Sequence, residues 1–377
     1  MTKWSSELQN SINQKVKSIS QTIGDRFPHA TNADGNYQLE KPQWWTAGFW
    51  PGILWQVFQT THDEQLKEIA IRCEKQLATV LQDPNKVDHD AGFMWMLSSV
   101  YQDQLLHDET AKTHALLAAN LLAARFNIRG NYLRAWNAWI GREDNTGTVI
   151  IDSVMNLPLL YWASEVTNDP RFKHIATAHA DTILQHFVRD DGSVHHMVIF
   201  NAETGDVVEK LGGQGFAENS SWSRGCAWAL YGFALAYKYT HAERFLTASM
   251  KVANYFLMHT ETTKIALWDF RIPANTAEQK YDYPDSSANA IAACGCLLLA
   301  DLVTPEEHDF YYQGAERLVT DLVEQASALD DPNCQGLIKH GTGHFPEQKN
   351  LDVSLIYGDY FFVEAVNTLN HVQTLHW

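Results

Sequence analysis

The sequence predicts an all-α protein, a double-layered toroid of six outer and six inner helices forming one unit over residues 1–377. Three observations lead there. Six segments carry a one-sided apolar stripe with a 3.6-residue period, six others alternating with them are apolar nearly all round, and the longest polar stretches fall on one side of that alternation. A stripe needs an apolar surface to cover it, and a helix apolar on every side needs neighbours on every side, so the two kinds pack as an outer and an inner ring.

In chain order, an outer helix over about 5–23 precedes an inner segment from Thr46 to Trp55. The outer stripe of Glu64–Leu81 places Leu66, Ile69, Ala70, Cys73, Leu77, Val80 and Leu81 on one face, with Lys and Glu opposite, and leads to the inner run Asp90–Tyr101. Outer helices over 109–126, 169–187, 243–258 and 306–326 alternate with inner runs Asp152–Ser164, Arg224–Tyr237, Asp285–Ala300 and Asp359–Leu369. Asp169 before Pro170 marks one outer start, and Thr304, Pro305 and Glu307 mark another as N-cap, first-turn proline and capping-box glutamate. Pro51 and Pro158 are expected to bend two inner helices near their first turns. The inner starts are too irregularly spaced for a short tandem repeat.

The long stretches 127–150, 189–222, 259–284 and 328–356 all run from an outer helix to the next inner one, so they gather at one mouth. Ser193 to Val208 reads as a β-hairpin over that mouth. With 28 basic against 45 acidic residues, the net charge of −17 repels nucleic acid and anionic membranes. Five thinly spread cysteines do not make a disulfide framework, and neither a signal peptide nor a membrane span is visible; a cytoplasmic protein is expected.

Six converging helix starts favour an anionic ligand despite the net charge, and Trp44, Trp45, Trp222, Trp228 and Trp268 offer flat faces suited to a sugar, although large aromatics also simply fill cores. Asp90 and Asp152 open neighbouring inner helices, so both carboxyls can face one cleft; an aspartate in that position is also the ordinary N-cap. The helix terminus favours the anion by roughly 0.3–1 kcal/mol, whereas desolvation and a like charge raise a carboxyl by up to about 3–5 pKa units. A proton-donating aspartate is therefore allowed, and paired carboxyls suit glycoside hydrolysis. His89, His195 and His196 lack the spacing of a metal site, and no nucleotide or serine-hydrolase motif is present; neither metal nor cofactor is expected.

These residues resemble the unsaturated glucuronyl hydrolases of glycoside hydrolase family 88 almost end to end. The resemblance runs through Gly24–His29, Trp45–Trp50, His89–Phe93, Ile151–Ser153, Trp222–Gly225, Trp268–Phe270, Asp285–Ala288 and Gly358–Tyr360. It implies an (α/α)6 barrel that removes a 4,5-unsaturated uronic acid from small anionic lyase-generated disaccharides or oligosaccharides. By that resemblance Asp152 protonates C4 and assists water addition at C5, and Asp90 holds substrate hydroxyls and tunes Asp152. His89, His196, Gln214, Arg224, Trp45, Trp222 and Trp228 would line the sugar cleft.

Two departures stand out. Asp88 replaces a histidine found in some members. Where members acting on sulfated disaccharides carry a Ser-x-x-Ser-x-Lys run, this chain has His344 to Lys349, with the lysine and without the serines. Competing expectations are the related unsaturated rhamnogalacturonyl hydrolases, an epimerase on the same toroid, and a sugar-binding protein without turnover.

Overall fold

The one-sided stripes become the outer helices and the all-round apolar runs the inner ones. The computed structural model describes residues 3–137, 144–372 and 377. Helix α1 (Lys3–Ile23) is outer, α2 (Phe49–Thr61) inner, α3 (Glu64–Val80) outer, α4 (Ala91–Trp95) with α5 (Tyr101–Leu106) inner, and α6 (Glu109–Ala123) outer. Then α7 (Pro158–Thr167), α9 (Ser223–Thr240), α11 (Ser286–Leu302) and α13 (Ile356–Leu369) are inner, and α8 (Pro170–Phe187), α10 (Glu243–His259) and α12 (Pro305–Ala326) outer. Each inner helix packs on the next, and α13 returns to α2, which closes an (α/α)6 barrel. A π-turn at Met96–Val100 joins α4 to α5.

The inner helices end tightly. His62, His107, Asn168 and His241 adopt left-handed φ values of 55, 54, 55 and 53°, and the next outer helix starts at once. After three of these residues an aspartate caps the new helix: Asp63 accepts from the Gln65 amide at 3.0 Å, Asp108 from Thr110 at 2.9 Å and Asp169 from Arg171 at 3.0 Å. This recurring two-residue turn escaped the sequence reading because the opposite connections differ so much in length. It puts the long connections together at the other end, the mouth where the inner helices begin.

Two expectations are corrected, and that for the prolines gains detail. Thr304 does not cap the backbone of α12; its hydroxyl donates to Glu307 Oε2 at 3.1 Å instead. Pro51 and Pro158 follow 3-10 turns at Trp45–Gly48 and Ile151–Asn156, so the missing N–H falls where the helix changes type, in the first turn of α2 and α7. The last inner helix starts at Ile356, before Asp359, whose buried carboxylate accepts from Tyr37 Oη at 2.5 Å and from the Leu337 and Ile338 amides at 2.9 and 3.0 Å. That aspartate ties mouth loops together.

Strands β1 (Phe27–Thr31) and β2 (Tyr37–Glu40), and β3 (Phe126–Asn127) and β4 (Tyr132–Leu133), form two small hairpins. The expected hairpin is present as β6 (Met197–Phe200) and β7 (Val207–Leu211), and β5 (Thr148–Ile150) adds a third strand. Residues 138–143 of the stretch before β5 lie outside the described residues. All five cysteines are buried and free of disulfides. No helix among the described residues is long and apolar enough to cross a membrane.

Candidate active site

Sheet register brings the first two groups together. Ile150 on β5 pairs with Met197 on β6, and the Ile151 amide donates to the His196 carbonyl at 3.0 Å, so Asp152 and His196 leave the sheet side by side. Asp152 is the second residue of its 3-10 turn and is 8% exposed; its Oδ1 lies 3.7 Å from His196 Nε2, and neither atom has a hydrogen-bond partner. Asp90 precedes α4 and is 7% exposed, but its side chain caps nothing. Instead Asp88 Oδ1 accepts from the Asp90 amide at 2.9 Å, which leaves the Asp90 carboxyl to face the Asn156 side-chain amide.

Asn156 joins the two acidic segments. Its Oδ1 accepts from the Phe93 amide at 2.8 Å, and its Nδ2 faces Asp90 Oδ1 at 3.4 Å and the Asp152 carbonyl at 3.5 Å. The approach is close enough that a Cβ on Gly92 would sit 2.4 Å from Asn156 Cα. The sequence reading missed Asn156; a lone amide in the apolar run Asp152–Ser164 was the available signal.

Burial pushes the Asp152 carboxyl up to about 7, against the Arg224 charge, a backbone N–H and the Trp228 indole, all of which pull it down. Asp90 is held well above the ordinary carboxyl range by burial and by the charges of Asp88 and Asp152, with Asn156 and Arg125 opposing. Both carboxyls therefore resist ionisation more than an exposed aspartate does.

The imidazole of His196 has one tautomer open to it. Its Nδ1 accepts from the Gln214 amide at 2.9 Å, so the hydrogen of the neutral ring is on Nε2, aimed at Asp152. Burial, with the charges of His344 and Arg224, lowers its pKa to about 3. Gly213 makes this contact possible: φ is +58°, and a Cβ there would lie 1.7 Å from His196 Nδ1. His195 turns the other way, its Nδ1 meeting Arg189 Nη2 at 2.9 Å, so the two adjacent histidines share no ligand site.

Arg224 is buried between the faces of Trp222 and Tyr357, with its guanidinium 4.7 and 5.2 Å from the ring centres. Nη1 pairs with Asp285 and donates to the Thr342 carbonyl at 2.7 Å; Nη2 donates to Gln214 Oε1 at 3.0 Å and the Gly343 carbonyl at 2.7 Å. Arg224 thereby locks the hairpin loop to the late loop, and its charge acts on the Asp152 carboxyl.

Trp45 lies against Tyr357 and Phe93, Trp228 against Phe93, and the Trp222 ring centre is 4.5 Å from that of His196. Ser223 Oγ and both His89 ring nitrogens are buried without hydrogen-bond partners, and His89 Nε2 lies 3.5 Å from Asp90 Oδ2. Trp268 instead stacks on Phe345, and Trp44 is 42% exposed. In the late loop His344 Nδ1 accepts from the Glu347 amide at 3.2 Å; the Lys349 side chain, 69% exposed, pairs with Glu347 at 2.7 Å. His344 belongs to the rim of the cleft and Lys349 to solvent.

A family model described as Glycosyl Hydrolase Family 88 matches residues 16–364. The chain belongs to that family. It is 35% identical to an unsaturated glucuronyl hydrolase of Bacillus sp. (strain GL1), over 99% of this chain and 98% of that protein. It is 31% identical to an unsaturated chondroitin disaccharide hydrolase of Streptococcus pyogenes serotype M1, over 90% and 84% of the two chains. The crystal structure of the unsaturated glucuronyl hydrolase from Bacillus sp. GL1, described as responsible for the degradation of glycosaminoglycan, superposes with a TM-score of 0.89 at 34% identity, covering 95% and 94% of the chains. The family-88 frame thus spans essentially all the elements described above.

Proposed function

We propose that residues 1–377 act as one catalytic barrel that releases a 4,5-unsaturated glucuronic acid from the non-reducing end of lyase-generated glycosaminoglycan oligosaccharides. The names of the relatives support this substrate class. The observation that carries the chemistry is Asp152, a buried carboxyl with a pKa near 7 whose unpaired Oδ1 lies 3.7 Å from His196 Nε2. An enol ether needs one well-placed acid. Asp152 delivers its proton to C4, the ring oxygen stabilises the cation at C5, and water adds at C5 as its proton passes to the Asp152 carboxylate. The C5 hemiketal then opens at the ring oxygen, leaving a hemiacetal at C1 that expels the remaining sugar. Asp90 binds substrate hydroxyls and tunes Asp152, the His196 Nε2–H orients the incoming water, and Arg224, paired with Asp285, holds Gln214 and the late loop in place around the sugar.

The test is to incubate the protein with chondroitin, hyaluronan, heparin and pectin lyase disaccharides and follow the ultraviolet absorbance of the C4=C5 bond. Decay on the glucuronate-containing products supports the reading; decay on the pectin product alone would move the chain to the rhamnogalacturonyl branch, and no decay on any would end it. Because the reactive form of Asp152 is the acid, kcat should fall as pH rises through about 7 and level off below it. A flat kcat from pH 6 to 9 would remove Asp152 as donor.

We infer a preference for a leaving sugar without sulfate. Lys349 is neutralised by Glu347, so that loop offers a sulfate no net positive charge. Turnover of unsulfated disaccharides should exceed that of sulfated ones, and Glu347→Gln should narrow the gap by several fold; an unchanged ratio would place the leaving sugar elsewhere.

A further inference from the structure

Little in the Asp152 side chain itself fixes its position. Its side chain caps no helix and its Oδ1 meets no partner, so the turn Ile151–Asn156 must be fixed by its other residues. Asn156 ties one end of that turn to Phe93. The other tie comes from the outer ring.

His179 lies in α8 and is completely buried. The Leu133 amide donates to its Nδ1 at 2.9 Å. A backbone N–H can only donate, so Nδ1 is unprotonated and the neutral ring carries its hydrogen on Nε2. Nε2 lies 2.7 Å from Ser153 Oγ, and that hydroxyl, receiving from the imidazole, donates to the Ile150 carbonyl at 2.6 Å. Every link has one possible direction: Leu133 N–H to His179, His179 to Ser153, Ser153 to the Ile150 carbonyl. Burial holds the His179 pKa down to about 3, so the chain keeps its polarity throughout the working pH range. It ends on Ile150 and Ser153, the residues that bracket Ile151 and Asp152.

We propose that His179 is a positioning residue for the reaction, an outer-helix imidazole that sets the height and aim of the Asp152 carboxyl through Ser153 without touching substrate. The proposal rests on the reading of Asp152 as proton donor. A displacement of about 1 Å in such a group costs about 10²-fold in rate, whereas the walls that bind the sugar, Trp45, Trp222 and Trp228, lie on other elements and stay in place.

The experiment compares wild type with His179→Ala, His179→Gln, Ser153→Ala and Ser249→Ala on an unsaturated disaccharide, with thermal midpoints measured alongside. Ser249 is the control: its buried hydroxyl ties α10 to the Leu230 carbonyl at 2.8 Å and makes no bond to the turn Ile151–Asn156. His179→Ala and Ser153→Ala should lose about ten- to a hundredfold in kcat with KM held within about twofold. His179→Gln, whose amide offers both an acceptor and a donor, should recover part of that loss. Ser249→Ala should lose stability without losing kcat. Should His179→Ala fail to fold, Ser153→Ala decides. The inference is overturned if folded His179→Ala or Ser153→Ala keeps the wild-type kcat, or if Ser249→Ala loses kcat equally. Absence of turnover by wild type itself is a different result, which removes the donor reading and this inference with it.

Discussion

Asp152→Asn should fold, become more stable than wild type at alkaline pH, and lose about 10²–10⁴-fold in kcat. The loss follows from chemistry: an amide preserves the shape of the side chain but has no proton to give an alkene carbon. The stability gain follows from linkage. The Asp152 carboxyl titrates near 7 when folded, against an ordinary value of 3.8, so between those values the folded chain binds more protons than the unfolded one. Stability therefore falls as pH rises from 3.8 to 7, and the whole cost of burying the anion, about 4 kcal/mol at most, is present above 7. Asparagine carries no such cost. Its thermal midpoint should exceed wild type at pH 8, with the gap closing near pH 4. Measured melting curves at both pH values, paired with single-turnover assays, check the two halves independently. A variant that retains more than a few per cent of the rate would displace Asp152 from the centre of the mechanism, and an unchanged midpoint at pH 8 would deny the raised pKa.

Different parts of this molecule were legible for different physical reasons. The stripe Leu66, Ile69, Cys73, Leu77 predicts an outer helix because amphipathic periodicity is a local property, and the buried faces agree. Asp169 could be read as a cap because capping involves only the next two residues, yet Thr304 in an equally good motif bonds to a side chain instead. The carboxyl pair was visible as two aspartates at inner starts, but not why they stay free of capping duty. That depends on Asp88 taking the Asp90 amide and on a register between β5 and β6, contacts set by tertiary structure. Arg224 shows the limit most clearly. Its motif neighbours Trp222 and Gly225 mark it as special, while its partners Thr342 and Gly343 lie more than a hundred residues away in a loop without periodicity.

Asp90→Asn tests whether the two carboxyls work as a pair. Substitution leaves the backbone bond to Asp88 intact, because the Asp90 amide and not its side chain makes it. Folding should therefore survive. What changes is electrostatic: burial and the charges of Asp88 and Asp152 hold Asp90 above the ordinary range, and interaction between two charges is mutual. In wild type the last proton of the pair leaves against a neighbouring anion; in the variant it does not. The alkaline limb of the kcat profile should consequently move to lower pH, and at pH 7 the rate should drop by about 10²-fold as both the retained proton and the grip on substrate hydroxyls are lost. Steady-state kinetics across pH 5 to 9 would separate the two contributions. A higher KM with an unmoved limb would make Asp90 a binding group only, and the proton economy of the cleft would then belong to Asp152, desolvated by its tryptophan walls and held in check by the fixed charge of Arg224.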